Sequence, residues 1–215
     1  SIRGEGSRPV RLTISLYYRR TAGAPPALPL FSDDPEGRPT MDLTFSDDPT
    51  APRPASASRV SLSIITQPGQ ANPFGTLHGG VMLRMADECG AVAALRHVGG
   101  GQITTAAIDS MTFLSPVYVG ERVEIVAEVT RVGRTSIETR IEIHAEPLER
   151  PDRRMVGSGY ALYVALDDQG KRPHPVPRLL SETEADRIRD EAAEARQPAR
   201  LARREQARAL GGEPR

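Results

Sequence analysis

The sequence predicts an α+β domain in which an antiparallel sheet of about five strands wraps around one central helix. Three observations predict it. One proline-free stretch, residues 81–98, is apolar nearly all round. The runs on either side of it, at 60–65 and within 103–166, carry strand patterns with few helix signals between them. Most of the excess of Pro and Gly, 19 residues each, lies outside this middle part of the 215-residue chain. A helix that is apolar on every face must be enclosed on every side, and a curved sheet encloses it economically.

Each element follows in order. Residues 1–57 read as a low-complexity tail: 22–29 is rich in Ala and Pro, 49–58 repeats the theme, and Phe-Ser-Asp-Asp-Pro occurs at both 31–35 and 45–49. Architectural repeats need ~20–50 residues each, so this one predicts no fold, and little ordered structure is expected there. Val60, Leu62 and Ile64 then alternate with Ser61, Ser63 and Ile65 in a first strand. The loop 67–80 is dense in residues that stop regular structure. The helix 81–98 ends at Gly99-Gly100-Gly101. A second strand covers 103–114. Val123, Ile125, Ala127 and Val129 alternate with Arg122, Glu124, Val126 and Glu128, and Ile137, Thr139, Ile141 and Ile143 with Glu138, Arg140, Glu142 and His144. That period of two predicts sheet with one dry and one wet face. Gly133-Arg134 makes a tight turn between these two strands, and 155–166 is the last strand.

Pro173, Pro175 and Pro177 end the sheet. Ser181-Glu182-Thr183-Glu184 is a capping box for a charged, Ala-rich helix to about residue 196. Pro198 is expected to interrupt it, with a second helical piece over 199–210. The thin apolar face (Ala185, Ile188, Ala192) predicts weak packing or extension into solvent. The expected boundaries are therefore a disordered tail at 1–57, the sheet-and-helix domain at 58–178 and a helical C-terminal extension at 179–215. A strand, one buried helix and four antiparallel strands are the hot-dog topology. One sheet leaves part of the helix uncovered, so a dimer is expected, with the second sheet completing the cover.

Composition narrows the function. Lys+Arg 28 balances Asp+Glu 28, which argues against nucleic-acid binding over a basic face. Cys89 is the only cysteine, so no intramolecular disulfide forms; with no signal peptide, a reducing, cytoplasmic compartment is expected. The apolar stretch 10–18 is broken by Arg11 and Thr13 and is too short to span a bilayer. No metal-ligand spacing, P-loop or dinucleotide-binding glycine pattern occurs, so no metal and no cofactor is expected.

A few residues stand out chemically. Asp87 lies midway along the buried-type helix, where a carboxylate is costly to desolvate. One turn away stand Leu83, Gly90 and Ala91; the two small ones leave room for another molecule beside it. Against a functional role stands a plain ion pair with Arg84, although Glu88, four residues after Arg84, fits that pair better. Leu77-His78-Gly79-Gly80 opens the helix. Its glycines allow close backbone approach, and the free N–H groups there favour an oxyanion or a polarised carbonyl. A tight loop-to-helix turn explains them equally. His78 is a base or merely a hydrogen-bonding loop residue. Asn72, before Pro73, is a turn former or a substrate-positioning group. Gly133-Arg134-Thr135-Ser136 can bind a phosphate but is also a common hairpin. Asp109 lies inside a strand with no role assigned. Cys89 reads as a core residue, not a nucleophile.

Taken together these residues resemble a known family. Asn72-x-x-Gly75-x-x-His78-Gly79-Gly80 with Met85-x-Asp87-Glu88 is similar to the signature of hot-dog acyl-CoA thioesterases. The similarity continues in 111–117 with Val119-Gly120, in Arg134-Thr135-Ser136, and in Ala161-x-Tyr163-Val164-Ala165 followed by 168–171 and Pro177. It covers about residues 60–177. The resemblance implies hydrolysis of fatty acyl-CoA, coenzyme A being part of the substrate. It makes Asp87 the general base or nucleophile, and Asn72 from the facing subunit a positioning group. The Gly80 N–H, beside Gly79, polarises the carbonyl, with His78 and Gly75 at the substrate. Arg134, Thr135 and Ser136 lie near the coenzyme A phosphates. It also implies a homodimer with two equivalent sites, assembled as a trimer of dimers. The alternatives are a non-catalytic acyl-CoA-binding module and an acyl-thioester hydratase or dehydratase using His78.

Overall fold

A computed structural model describes residues 31–33, 39–41, 51–167 and 169–211. The chain forms two units, Ser1–Pro49 and Thr50–Arg215. In the first unit, β1 (Phe31–Asp33) and β2 (Pro39–Met41) pair antiparallel, with Phe31 opposite Met41. β1 thus uses the first copy of the short repeat. Most of the expected tail lies outside the described residues.

The second unit is built on five strands: β4 (Val60–Ile65), β5 (Gln102–Phe113), β6 (Arg122–Val132), β7 (Ser136–Glu146) and β8 (Arg154–Leu166). Their order is β4-β6-β7-β8-β5, every pairing antiparallel. The helix α2 (Gly79–Val98) lies on one face, packing Met82, Met85, Ala86, Cys89, Ala93 and Ala94 against Ile125, Ile137, Ile141, Ala161 and Tyr163. This is the expected hot-dog arrangement, with the apolar members of each alternation facing the helix. His78 starts α2 by accepting the Gly80 N–H on its ring Nδ1, and Gly99 ends it at φ 82°, its N–H donating to Leu95 O. That left-handed conformation favours glycine. The helix is not enclosed on every side within one chain: Arg84, Glu88 and Val92, at four-residue spacing, form an exposed strip.

The ends depart from expectation. Arg53–Pro54 (β3) pairs parallel with Leu179–Leu180 (β9), and Ala55–Ser58 (α1) follows it. The Arg53 guanidinium donates to His97 O at 2.9 Å, a cation where the helix carbonyls are unpaired. The second unit therefore includes paired residues at least five positions before 58. The extension is one helix, α3 (Glu184–Gly211), running through Pro198. It does not simply extend into solvent. Arg196 and Arg200 bind the Glu138 carboxylate, and Arg200 and Arg203 that of Asp109. Arg196 also stacks 3.7 Å from the Tyr160 ring centroid. Glu138 and Tyr160 alternate with the core residues Ile137 and Ala161, so they lie on the face opposite α2. The expected wet face is thus partly dry: only 2% of the Glu138 side chain and 4% of Asp109's is exposed. Guanidinium contacts on both sides of Pro198 hold the two halves in line although the proline removes one helical hydrogen bond. Arginines do the docking that the thin apolar face was not expected to do, since Ala185 and Ile188 are exposed. Among the described residues, no helix is long and apolar enough to cross a membrane.

Candidate active site

Asp87 sits in the third turn of α2, half-buried, on the side facing β5 and β8. Two hydroxyls meet its Oδ1: Thr105 Oγ1 of β5 donates at 2.9 Å, and Tyr163 Oη of β8 lies at 3.3 Å. Thr105 and Tyr163 are cross-strand partners, so the sheet register delivers both to one point. The Tyr163 hydroxyl also lies 3.0 Å from the Asp87 main-chain oxygen. Burial first, and then the Asp87 charge, push the Tyr163 phenol above its ordinary range, so it remains a donor. Among the described residues nothing donates to Asp87 Oδ2, and no cation pairs with the carboxylate. The ion pair that competed for this residue belongs to Arg84 and Glu88, 2.7 Å apart on the exposed strip. Neither Thr105 nor Tyr163 was assigned a role from sequence: a strand threonine carries no signal, and Tyr163 stood out only as part of a motif. The space expected beside Gly90 is not vacant, because Tyr163 occupies it. A Cβ on Gly90 would lie 2.4 Å from Oη.

The helix start differs from expectation in one atom. The Gly80 N–H is not free but bonds His78 Nδ1 at 2.9 Å, which makes His78 a helix cap. The reason is local: a residue at the N-cap position reaches the second helical amide most easily. The Gly79 N–H has no partner among the described residues, and Phe113 of β5 stands 3.5 Å from where its Cβ would be. The unpaired glycine amide at the start of α2, among the described residues, is therefore that of Gly79.

Asn72 forms a turn. Its Oδ1 accepts from Phe74 N at 2.9 Å and Thr76 N at 3.2 Å, and its Nδ2 donates to Thr76 Oγ1 at 2.8 Å. One side-chain N–H is left over, and no hydrogen bond joins Asn72 to Asp87 within the chain. Gly75 closes the same turn at φ 78°, its N–H donating to Asn72 O at 3.0 Å. Arg134, Thr135 and Ser136 form the β6–β7 turn and the start of β7. Ser136 lies opposite Val164, next to Tyr163, so this turn is at the same end of the sheet as the Asp87 cluster. Arg134 is exposed. Cys89 is buried with its sulfur 3.5 Å from Ile125 O, and burial pushes its thiol up to about 11, which makes it unreactive.

Comparison with known proteins settles the family. A model of the thioesterase superfamily matches residues 74–151. An uncharacterized acyl-CoA thioester hydrolase of Bacillus subtilis is 33% identical over 143 residues, 66% of this chain and 82% of that protein. The chain belongs to the acyl-CoA hydrolases of the thioesterase superfamily. The mouse cytosolic acyl coenzyme A thioester hydrolase is 31% identical over 147 residues, but those cover only 38% of its length. Among solved structures, the acyl-CoA hydrolase of Staphylococcus aureus in complex with butyryl coenzyme A, coenzyme A and coenzyme A disulfide superposes with a TM-score of 0.68 at 29% identity, covering 74% of this chain and 95% of that one.

Proposed function

We propose that this protein hydrolyses fatty acyl-CoA to a free fatty acid and coenzyme A, with Asp87 as the general base. One observation carries the reading: a half-buried carboxylate with one oxygen held by hydroxyls and the other free. Asp87 Oδ2 takes a proton from water as the water oxygen attacks the thioester carbonyl. The carbonyl oxygen gains charge and is met by the Gly79 N–H at the positive end of α2. The C–S bond then breaks, and the proton passes to the departing thiolate. A thiolate leaves readily, so the step asks little more of the protein than a base, an amide and exclusion of water.

The remaining parts complete this site. Asn72 of a facing subunit uses its spare N–H to hold the water or the substrate. Support comes from the Staphylococcus aureus relative, for which variants exist with an aspartate or an asparagine changed to alanine. Those two positions stand as far apart along that chain as Asn72 and Asp87 do here. Gly75 and His78 flank the substrate, and Arg134, Thr135 and Ser136 meet the coenzyme A phosphates. A homodimer is favoured because β5 is a twelve-residue sheet edge with Ile108 and Phe113 exposed along it; an open edge of that length calls for a partner strand. Relatives solved as hexamers support a trimer of dimers. A buried, unpaired cysteine accords with a reducing, cytoplasmic setting.

Release of coenzyme A thiol from a series of acyl-CoAs, read with a chromogenic thiol reagent, tests the reading. Binding of acyl-CoA without thiol release would overturn it in favour of a binding module. Turnover of an enoyl-CoA instead would indicate a hydratase, a reading made less attractive by the use of His78 Nδ1 as a cap. Mixing Asn72→Ala with Asp87→Ala subunits should restore roughly a quarter of wild-type activity, since half of randomly formed two-fold dimers carry one intact site of two. No recovery in demonstrated mixed dimers would place both residues within one subunit's site.

A further inference from the structure

The surroundings of Asp87 contain more than a base needs, and three features converge. Tyr163 is fully buried yet sends its hydroxyl into the flank of α2, where it meets both the main-chain oxygen and the carboxylate of Asp87, at 3.0 and 3.3 Å. A buried phenol has one hydrogen and usually finds one acceptor; here that hydrogen is shared between the backbone and the side-chain oxygen of the same residue. Second, α2 carries a glycine one turn on, at Gly90. Glycine inside a helix is destabilising relative to alanine. Here an alanine Cβ would stand 2.4 Å from Tyr163 Oη and 3.0 Å from Thr139 Oγ1. Third, the Thr139 hydroxyl is buried beside these groups, close enough to the Tyr163 phenol to interact with it.

We propose that Tyr163 is a positioning residue for hydrolysis: its buried hydroxyl ties the Asp87 carboxylate to its own backbone, so that Oδ2 is presented to the water, and Gly90 exists to admit it. The inference rests on Asp87 being the base. A carboxylate held only by Thr105 can turn about its side-chain torsions. Held by Thr105 from one side and Tyr163 from the other, Oδ1 is fixed and Oδ2 takes one direction. Small losses of alignment at a reacting group are costly in rate. Tyr163 touches neither substrate nor water in this role. It acts through Asp87, and its loss should appear in turnover, not in substrate binding.

The test is steady-state hydrolysis by the full chain. Tyr163→Phe keeps the ring in the core and removes only the oxygen. It should lower kcat about tenfold with KM changed less than about twofold, since the group lost acts on the base and not on substrate binding. The change should vanish in an Asp87→Asn background, because a positioning group has no effect without the group it positions. Gly90→Ala should lower kcat comparably, by pushing the hydroxyl away. Combining it with Tyr163→Phe should recover thermal stability but not turnover, since the clashing oxygen is gone while the tether is still absent. If Asp87→Asn retains wild-type kcat, the base assignment itself fails. If Asp87→Asn is inactive but Tyr163→Phe turns over like the wild type, or lowers kcat by the same factor in both backgrounds, the positioning role is overturned. If Tyr163→Phe does not fold, Gly90→Ala decides alone: wild-type kcat with Tyr163 in place contradicts the proposal.

Discussion

The two faces of the sheet each hold carboxylates away from water, and they treat them in opposite ways. On the outer face, Glu138 and Asp109 are almost wholly buried and are met by the guanidinium groups of Arg196, Arg200 and Arg203. Each of these two carboxylates is met by two guanidinium groups, and Glu138 accepts from the Thr130 hydroxyl as well, at 2.9 Å. On the inner face, Asp87 is only half-buried and has no cation. It is held on one oxygen by uncharged hydroxyls. A carboxylate gripped by arginines has its lone pairs committed and its charge neutralised, and it serves as a clamp. A carboxylate met on one oxygen by hydroxyls leaves the other oxygen free, which is what the proposed base requires. On the proposed reading, what separates the two roles is the identity of the partner and not burial alone.

The comparison breaks most sharply if the two carboxylates are exchanged in consequence. Asp87→Asn should lower kcat by about a hundredfold or more, the order expected for losing a general base, with an unchanged thermal midpoint. Glu138→Ala should do the reverse. Removing one partner of a buried charge cluster costs about 3 kcal/mol, visible in urea denaturation, while kcat of the folded fraction stays within about twofold of wild type if the outer face takes no part in the reaction. If Glu138→Ala abolished turnover without destabilising the fold, the division between the faces would be wrong. A finer version is Glu138→Gln, which keeps the shape and two acceptor or donor atoms but not the charge. Its cost should fall to about 1–2 kcal/mol, and a loss as large as alanine's would show that packing, not charge, holds α3.

How far these faces were legible in the sequence follows from the same contrast. The inner face was readable because apolar residues at period two in β6 and β7, and all round in α2, leave few arrangements. Asp87 was conspicuous because it breaks that pattern. Its helpers were not. Thr105 is one of several threonines in a strand, and Tyr163 reads as another core aromatic until the β5–β8 register places them side by side. Gly90 was visible, but the space it leaves is filled from β8, which no local pattern reports. The outer face was misread for a different reason. Glu138 alternates as a solvent-facing residue should, and α3 lacks an apolar stripe, so neither announces contact. Only their pairing across 58 residues, Arg196 with Glu138, dries that surface. The start of α2 sits between these cases: the glycines were plain, but which amide is free depends on where the His78 ring turns.

The smallest effect should be a pH dependence arising at the far end of α2. His97 is buried, its Nε2 3.0 Å from Pro177 O, so the ring donates there and ties the helix to the segment leading to β9. Burial holds its pKa below the ordinary 6.5; the Pro177 carbonyl opposes this, and the Arg53 charge adds to it. His144 is lowered as well, by burial and then Arg153. The sign follows from proton counting. Below 6.5 the unfolded chain takes up protons that the folded chain refuses, so the unfolded state is favoured as pH falls. This stability is therefore fully present above 6.5 and declines below it. Carboxylates such as Glu121, held low by Arg154, add their loss only below their own ordinary value of 4.5. Urea midpoints taken between pH 7 and pH 5 should thus fall gently, and His97→Asn, which keeps a side-chain donor but does not titrate, should flatten most of that slope. An equal slope in the variant would assign the fall to other groups, His144 first among them.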